Sequence, residues 1–144
     1  MVTANTAPPS GGPWVAGDFN GDRLTDLFVV TGTNTVQTWL DRGNGSFQAV
    51  TFRANYDLSR GTWLVGDFNA DNIADLLHVA PDRVVTWFSW GNGSYLPWNA
   101  NIPVTRATWL AADFNGDRRS DVARVTPDRI AVWLNRGDGT YEQR

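Results

Sequence analysis

The chain has 144 residues, of which 42% are hydrophobic, so it is long enough to bury a core within a single domain. It contains no cysteine, which excludes disulfides, thiolate metal sites and a thiol nucleophile. The net charge is −3, and the acids are concentrated in three short segments, which argues against a nucleic-acid surface. No apolar run approaches the length of a membrane span. The start, MVTANTAPPSGGPW, lacks the basic and apolar regions of a signal peptide, although a mature secreted form remains open.

The same order of segments occurs three times along the chain. Each block opens on a tryptophan (Trp14, Trp63 or Trp109), continues through an acidic loop and an apolar run, and reaches a second tryptophan before a glycine turn. The segments are short, rich in Val, Leu, Trp, Phe and Thr, and bounded by Gly, Asn, Asp or Pro, which predicts strands throughout. Four strands in a repeat of roughly 40–50 residues are typical of a β-propeller blade. The predicted fold is therefore all-β, with three four-stranded propeller blades at 14–60, 61–106 and 107–144 and an N-terminal segment at 1–13.

The three acidic loops are DFNGDRLTD at 18–26, DFNADNIAD at 67–75 and DFNGDRRSD at 113–121. Each places side-chain oxygens at its positions 1, 3, 5 and 9, a spacing that lets a tight loop direct several oxygens at one hard cation such as calcium. The predicted side-chain ligands are Asp18, Asn20, Asp22 and Asp26; Asp67, Asn69, Asp71 and Asp75; and Asp113, Asn115, Asp117 and Asp121. The alternative is a metal-free turn in which these side chains accept backbone N–H groups.

These blocks resemble the FG-GAP (VCBS) repeat family, which is known from integrin α-subunit propellers and from integrin-like fungal and bacterial lectins. The matching residues are the GDFNGD and GDFN segments that begin at Gly17 and Gly66, the DFNGD segment that begins at Asp113, and the Asp-Leu or Asp-Val pair that closes each loop. The resemblance covers nearly all of residues 14–141.

The resemblance implies up to three calcium ions per chain, with a further backbone carbonyl ligand from position 7 of each loop, which is Leu24, Ile73 or Arg119. It also implies an extracellular location. The chain departs from the family at position 6, where Arg23, Asn72 and Arg118 replace the usual glycine. If that position needs a positive φ, an arginine there costs about 1 kcal/mol or more.

Three blades are too few to close a propeller ring, which usually has four to eight. The last block stops as its fourth strand begins, and Val2–Asn5 resembles the missing part of that strand. A head-to-tail partner could therefore complete a split outer strand, and a heterologous contact of this kind closes into a ring or continues as a filament. The sequence favours a homodimer with six blades over a trimer with nine. The alternative is that the chain is an excerpt of a longer repeat array.

Two tryptophans differ from the six that recur at fixed strand positions. The recurring set (Trp14, Trp39, Trp63, Trp87, Trp109 and Trp133) is expected to pack between blades. Trp90 and Trp98 occur only in the second block and flank its glycine turn, so they are expected to be exposed, and with Asn92 they form a candidate carbohydrate site. The single histidine, His78, is expected to be a partly exposed strand residue.

Two classes of function fit these features. One is a non-catalytic, lectin-like propeller, which the resemblance implies, and the other is a structural or protein-interaction propeller without sugar affinity. An enzyme is not expected, because no nucleophile is paired with a base.

Overall fold

The computed structural model describes residues 9–144 and the backbone of residues 2–3. The described residues contain no helix and form three antiparallel sheets. These sheets confirm the predicted all-β fold of three blades. No helix in the described part is long and apolar enough to cross a membrane.

Each blade contributes four consecutive antiparallel strands. The first comprises β2 (Trp14–Gly17), β3 (Asp26–Val30), β4 (Thr35–Asp41) and β5 (Ser46–Arg53). The second comprises β6 (Thr62–Gly66), β7 (Asp75–Val79), β8 (Val84–Ser89) and β9 (Tyr95–Asn99). The third comprises β10 (Thr108–Ala112), β11 (Asp121–Thr126), β12 (Arg129–Asn135) and β13 (Tyr141–Gln143).

The turns between the third and fourth strands of each blade depend on glycine. In the second blade Gly91 and Gly93 have φ values of 84° and 89°, in the left-handed region that side chains avoid. They bring β9 back along β8, so that Tyr95 lies opposite Ser89 and Pro97 opposite Trp87. Tight glycine turns of this kind allow four strands to fit into a short repeat.

The hydrophobic core lies between blades. One cluster joins the first blade to the second, with Phe28 and Val36 on one side and Trp63 and Trp87 on the other. A second cluster joins the second blade to the third in the same way. Four of the six recurring tryptophans, Trp63, Trp87, Trp109 and Trp133, lie in these clusters, as predicted. Trp39 is also buried but lies outside both clusters, and Trp14 is 37% exposed.

A short N-terminal strand, β1 (Val2–Thr3), pairs with Phe47 and Ser46 of β5 and extends the first sheet to five strands. This pairing is within one blade, whereas the sequence predicts a role in a partner's last strand. Residues 1 and 4–8 of the predicted 1–13 segment lie outside the described residues. The last strand, β13, is short, and its completion by a second chain stays a prediction.

Candidate functional site

The first aspartate of each acidic loop organises the loop backbone. In the first blade, Asp18 Oδ1 accepts the N–H of Gly21 at 2.8 Å and Oδ2 accepts that of Arg23 at 2.8 Å. Asp113 accepts the N–H groups of Gly116 and Arg118 at 2.7 and 2.8 Å. These donors hold the pKa of Asp113 below its usual value, with the Arg118 N–H as the main cause.

The last aspartate of each loop is fully buried and ties the loop to the third strand of its own blade. Asp75 accepts the N–H of Phe68 at 2.9 Å with Oδ2 and that of Ser89 at 2.8 Å with Oδ1. Asp26 and Asp121 make the equivalent pairs of bonds. The position-9 carboxylate therefore joins three segments of each blade.

The three carboxylates of each loop converge. One oxygen from each member of a triad lies within 4.8 Å of the others, and the triads are Asp18, Asp22 and Asp26; Asp67, Asp71 and Asp75; and Asp113, Asp117 and Asp121. Burial, with the nearby negative charges adding to it, raises the pKa of Asp75 to about 7. A cation between the carboxylates would offset both effects.

The amide of Asn69 points into the second triad. The terminal amide atom that faces the carboxylates, either oxygen or nitrogen, lies 3.1 Å from Asp67 Oδ1 and 2.8 Å from Asp71 Oδ1. As nitrogen this atom would donate to the carboxylates of a metal-free loop, and as oxygen it would add a fourth ligand to a cation. The carboxylates of each loop could therefore hold a metal ion, and in the second loop they also form a closed hydrogen-bonded turn with Asn69.

Position 6 of each loop does adopt the left-handed conformation. Arg23, Asn72 and Arg118 have φ values of 69°, 65° and 72°. Arg23 and Arg118 therefore hold a conformation that strains an arginine, whereas Asn72 tolerates it. The third loop differs in another way, since Arg119 Nη2 lies 2.9 Å from Asp117 Oδ2 and supplies a positive charge to this triad. Leu24 and Ile73, at the same position, bring no charge.

A cleft of about 450 Å³ opens between the second and third blades, next to the second acidic loop. One wall carries Trp90 and Trp98, which are 64% and 49% exposed, as predicted. The remaining lining residues are Asn69, Asp71, Ile73, Phe88, Ser89, Leu96, Gly137, Asp138 and Gly139.

Close packing against the third blade positions the Trp98 ring. A Cβ added at Gly139 would lie 2.5 Å from Trp98 Nε1, so only glycine permits this approach. At the boundary between the first and second blades, Val50 approaches Gly93 in the same way. Val50 is therefore the structural equivalent of Trp98, and Arg42 and Arg136 correspond to Trp90.

The cleft does not include Asn92. Its side-chain oxygen accepts the N–H and hydroxyl of Ser94 at 3.0 and 2.6 Å within its own turn. The cleft is completed by the equivalent residue of the next blade, Asp138. The hydroxyl of Thr140 and, to a lesser degree, its N–H donate hydrogen bonds that lower the pKa of Asp138. This wall of the cleft is therefore negatively charged at neutral pH. The sequence did not indicate Asp138, because its turn belongs to the third blade but lines a cleft shared with the second blade.

His78 is completely buried, which makes the expectation of a partly exposed residue wrong. Its Nε2–H donates to the carbonyl of Arg60 at 2.7 Å, and its Nδ1 accepts the hydroxyl of Tyr56 at 2.8 Å. Tyr56 in turn accepts Trp87 Nε1–H at 2.9 Å, and the imidazole stacks on Trp63 with ring centroids 4.0 Å apart. The network satisfies both ring nitrogens of a neutral histidine, and burial lowers the pKa of His78.

Comparisons with known proteins agree with this architecture. Residues 18–78 match the model of the FG-GAP-like repeat family. Among solved structures, the chain is similar to an Agrocybe aegerita lectin described for its specific recognition of non-reducing terminal N-acetylglucosamine. The identity is 22% and the TM-score 0.75, over 90% of this chain and 36% of the lectin chain. This chain thus spans about a third of the lectin's length, and the likeness shows the fold. A comparison with curated protein sequences found no match.

Proposed function

Because residues 18–78 carry an FG-GAP-like repeat within a propeller fold, we propose that this protein is a non-catalytic, carbohydrate-binding propeller. The observation that supports the proposal most strongly is the pair of exposed tryptophans in the cleft between the second and third blades. Exposed indole rings in a concave site are unusual on a soluble domain and mark ligand-binding surfaces.

The chemistry of the cleft suits a neutral sugar. The face of a pyranose ring carries C–H groups that pack on an indole, while its hydroxyls need hydrogen-bond acceptors and donors. Asp71 and Asp138 supply acceptors, and the Nε1–H of Trp90 is a donor. Two carboxylates disfavour acidic sugars, since like charges repel. The cleft lies within one chain, so sugar binding requires no partner.

Calcium in the acidic loops would support this site. The predicted ligands of the second loop include Asn69 and Asp71, which also line the cleft. When bound, calcium would neutralise the triad and fix the orientation of these two side chains. Calorimetric titration of the chelator-treated protein with calcium tests this. The absence of both binding heat and a thermal shift would contradict it.

A glycan array with matched variants tests the sugar site. Trp90→Arg and Trp98→Val each install the residue type that this protein carries at equivalent positions, Arg42 and Val50, so both variants should fold. N-acetylglucosamine is the first probe, given the likeness to the Agrocybe lectin. Removing an aromatic residue on which a ligand packs commonly costs about 2 kcal/mol, so we expect each variant to bind about thirtyfold more weakly.

Val50→Ala, at the boundary of the first and second blades, is the matched control and should bind like the wild type. A blank array from the folded wild-type protein would contradict the proposal. It would favour the second candidate, a structural or protein-interaction propeller without sugar affinity.

A further inference from the structure

One face of the first blade and one face of the third blade pack against no other blade of this chain, whereas the equivalent faces of the second blade do. We call the face of a blade turned towards the next blade its leading face, and the opposite face its trailing face. On the leading face of the third blade, Phe114 and Ile130 are 38% and 71% exposed, whereas their equivalents in the second blade, Phe68 and Val84, are buried. Leu110 on the same face is 49% exposed. This arrangement leaves a contiguous apolar surface at one end of the chain.

The trailing face of the first blade is the second face without a neighbouring blade in this chain, and it is less exposed, since Trp14 is 37% exposed and Trp39 is 7% exposed. It carries Trp14, Trp39 and Phe47. The ring centroid of Trp39 lies 6.1 Å from that of Trp14 and 6.1 Å from that of Phe47. The equivalent residues of the second blade include Trp63 and Trp87, which are buried against the first blade. The outward faces of the first and third blades therefore differ from each other in their residues.

A buried hydroxyl pair marks each boundary between blades within the chain. Thr38 Oγ1 lies 2.7 Å from Tyr95 Oη at the first boundary, and Thr86 Oγ1 lies 2.8 Å from Tyr141 Oη at the second. In each pair the leading face supplies threonine and the trailing face of the next blade supplies tyrosine. The two remaining members of this pattern are Val132, on the leading face of the third blade, and Phe47.

At this position neither outward face therefore carries a hydroxyl group, since it has Val132 or Phe47. A threonine opposite Phe47, or a tyrosine opposite Val132, would leave a buried polar group unsatisfied. Valine opposite phenylalanine leaves none. The two changes compensate only if the residues meet, and within one chain they stand on the two outward faces.

Backbone hydrogen bonds between the acidic loops of neighbouring blades form a second repeated contact. The carbonyl of Asp18 accepts the N–H of Ala74 at 2.8 Å, and the carbonyl of Asp67 accepts that of Ser120 at 2.7 Å. Each bond joins position 1 of one loop to position 8 of the next blade's loop. The corresponding third pair is the carbonyl of Asp113 and the N–H of Thr25, which make no such bond within the described residues.

We propose that the leading face of the third blade packs on the trailing face of the first blade of a second copy, with Val132 against Phe47. Two copies then close a head-to-tail ring with two identical interfaces. The occupant is another copy of this chain, because this chain carries both halves of the compensated pair and both halves of the third loop contact. A heterologous contact of this kind must close or propagate, and two three-bladed chains give a ring of ordinary propeller size.

A double-mutant cycle on self-association tests the pairing. Val132→Thr and Phe47→Tyr each place one hydroxyl in an apolar contact. We expect about a tenfold loss at each interface, and hence about a hundredfold rise in the dimer dissociation constant, for either single variant. In the double variant the two hydroxyls can bond as Thr86 and Tyr141 do, so association should return to within about tenfold of the wild type.

A second variant reports on the surface without relying on the hydroxyl pair. Ile130→Glu changes an exposed side chain and should produce a folded monomer, whereas the matched control Leu96→Glu, in the cleft, should remain dimeric. Mass measurement by sedimentation gives the readout, and circular dichroism checks folding. A wild-type chain that is monomeric at all concentrations would overturn the proposal, as would single variants whose effects simply add in the double variant.

Discussion

The buried histidine makes a specific prediction about stability at mildly acidic pH. His78 is neutral in the folded protein because burial disfavours its charged form, and its two ring nitrogens are already satisfied by Arg60 and Tyr56. In the unfolded chain its pKa returns to about 6.5. Lowering the pH through this value therefore protonates the unfolded state first. The free energy of unfolding should fall as the pH falls below about 6.5, down to the folded pKa.

The size of this loss follows from proton linkage. One pH unit below the unfolded pKa, protonation stabilises the unfolded chain by about 1.4 kcal/mol per histidine, provided that the folded imidazole remains neutral. At about pH 7.5 the same contribution is below roughly 0.1 kcal/mol. The exposed Asp57 nearby does not titrate in this interval, because hydrogen bonds from Ser59 lower its pKa.

Urea unfolding of the wild type and of His78→Gln, at about pH 5.5 and 7.5, measures the effect. The glutamine amide does not titrate, so we expect the wild type to lose about 1.4 kcal/mol more than the variant between the two values. Asp75 titrates in the same interval with the opposite sign, since its folded pKa is raised to about 7, and it contributes to both proteins. The same pH dependence in both proteins would refute the account of a neutral, buried His78.

Three further predictions concern the blade boundaries and the acidic loops. Thr86→Val and Tyr141→Phe should each cost about 1–3 kcal/mol in urea unfolding, while the double variant should cost less than their sum, because no hydroxyl is left unpaired. Ala70, at φ 62°, stands where the third loop has Gly116, so Ala70→Gly should stabilise by about 1 kcal/mol and Gly116→Ala should destabilise by a similar amount; opposite signs would contradict the strain. Arg119→Ile removes a competing cation from the third loop and should strengthen calcium binding there, and unchanged calorimetry would contradict that role.

The periodic features of the sequence predicted most of the fold. Strand positions, the glycine turns and the packing of four recurring tryptophans between blades follow from local patterns repeated three times, and each copy supports the interpretation of the others. The sequence raised a positive φ at Arg23 only as a condition, and the structure shows that the residue does adopt it. Local pattern and register were sufficient here because every blade uses the same strand order.

Features that depend on contacts between blades were not accessible in this way. His78 has Val29 and Arg124 at equivalent positions, so only the packing of Tyr56 against the next blade reveals why a histidine is buried there. Asp138 enters the cleft from the third blade, whereas the sequence suggested Asn92 of the second. In both cases the deciding partner comes from another repeat.

Calorimetric stoichiometry of sugar binding tests the central proposal most directly. Among the described residues, paired exposed tryptophans occur at the boundary of the second and third blades, while Val50 and Arg42 stand at the equivalent places of the first. Titration with the best-binding glycan should therefore give one site per chain, and Trp98→Val should bind it about thirtyfold more weakly. A stoichiometry of two or three per chain, or full binding by Trp98→Val, would contradict the assignment of the cleft.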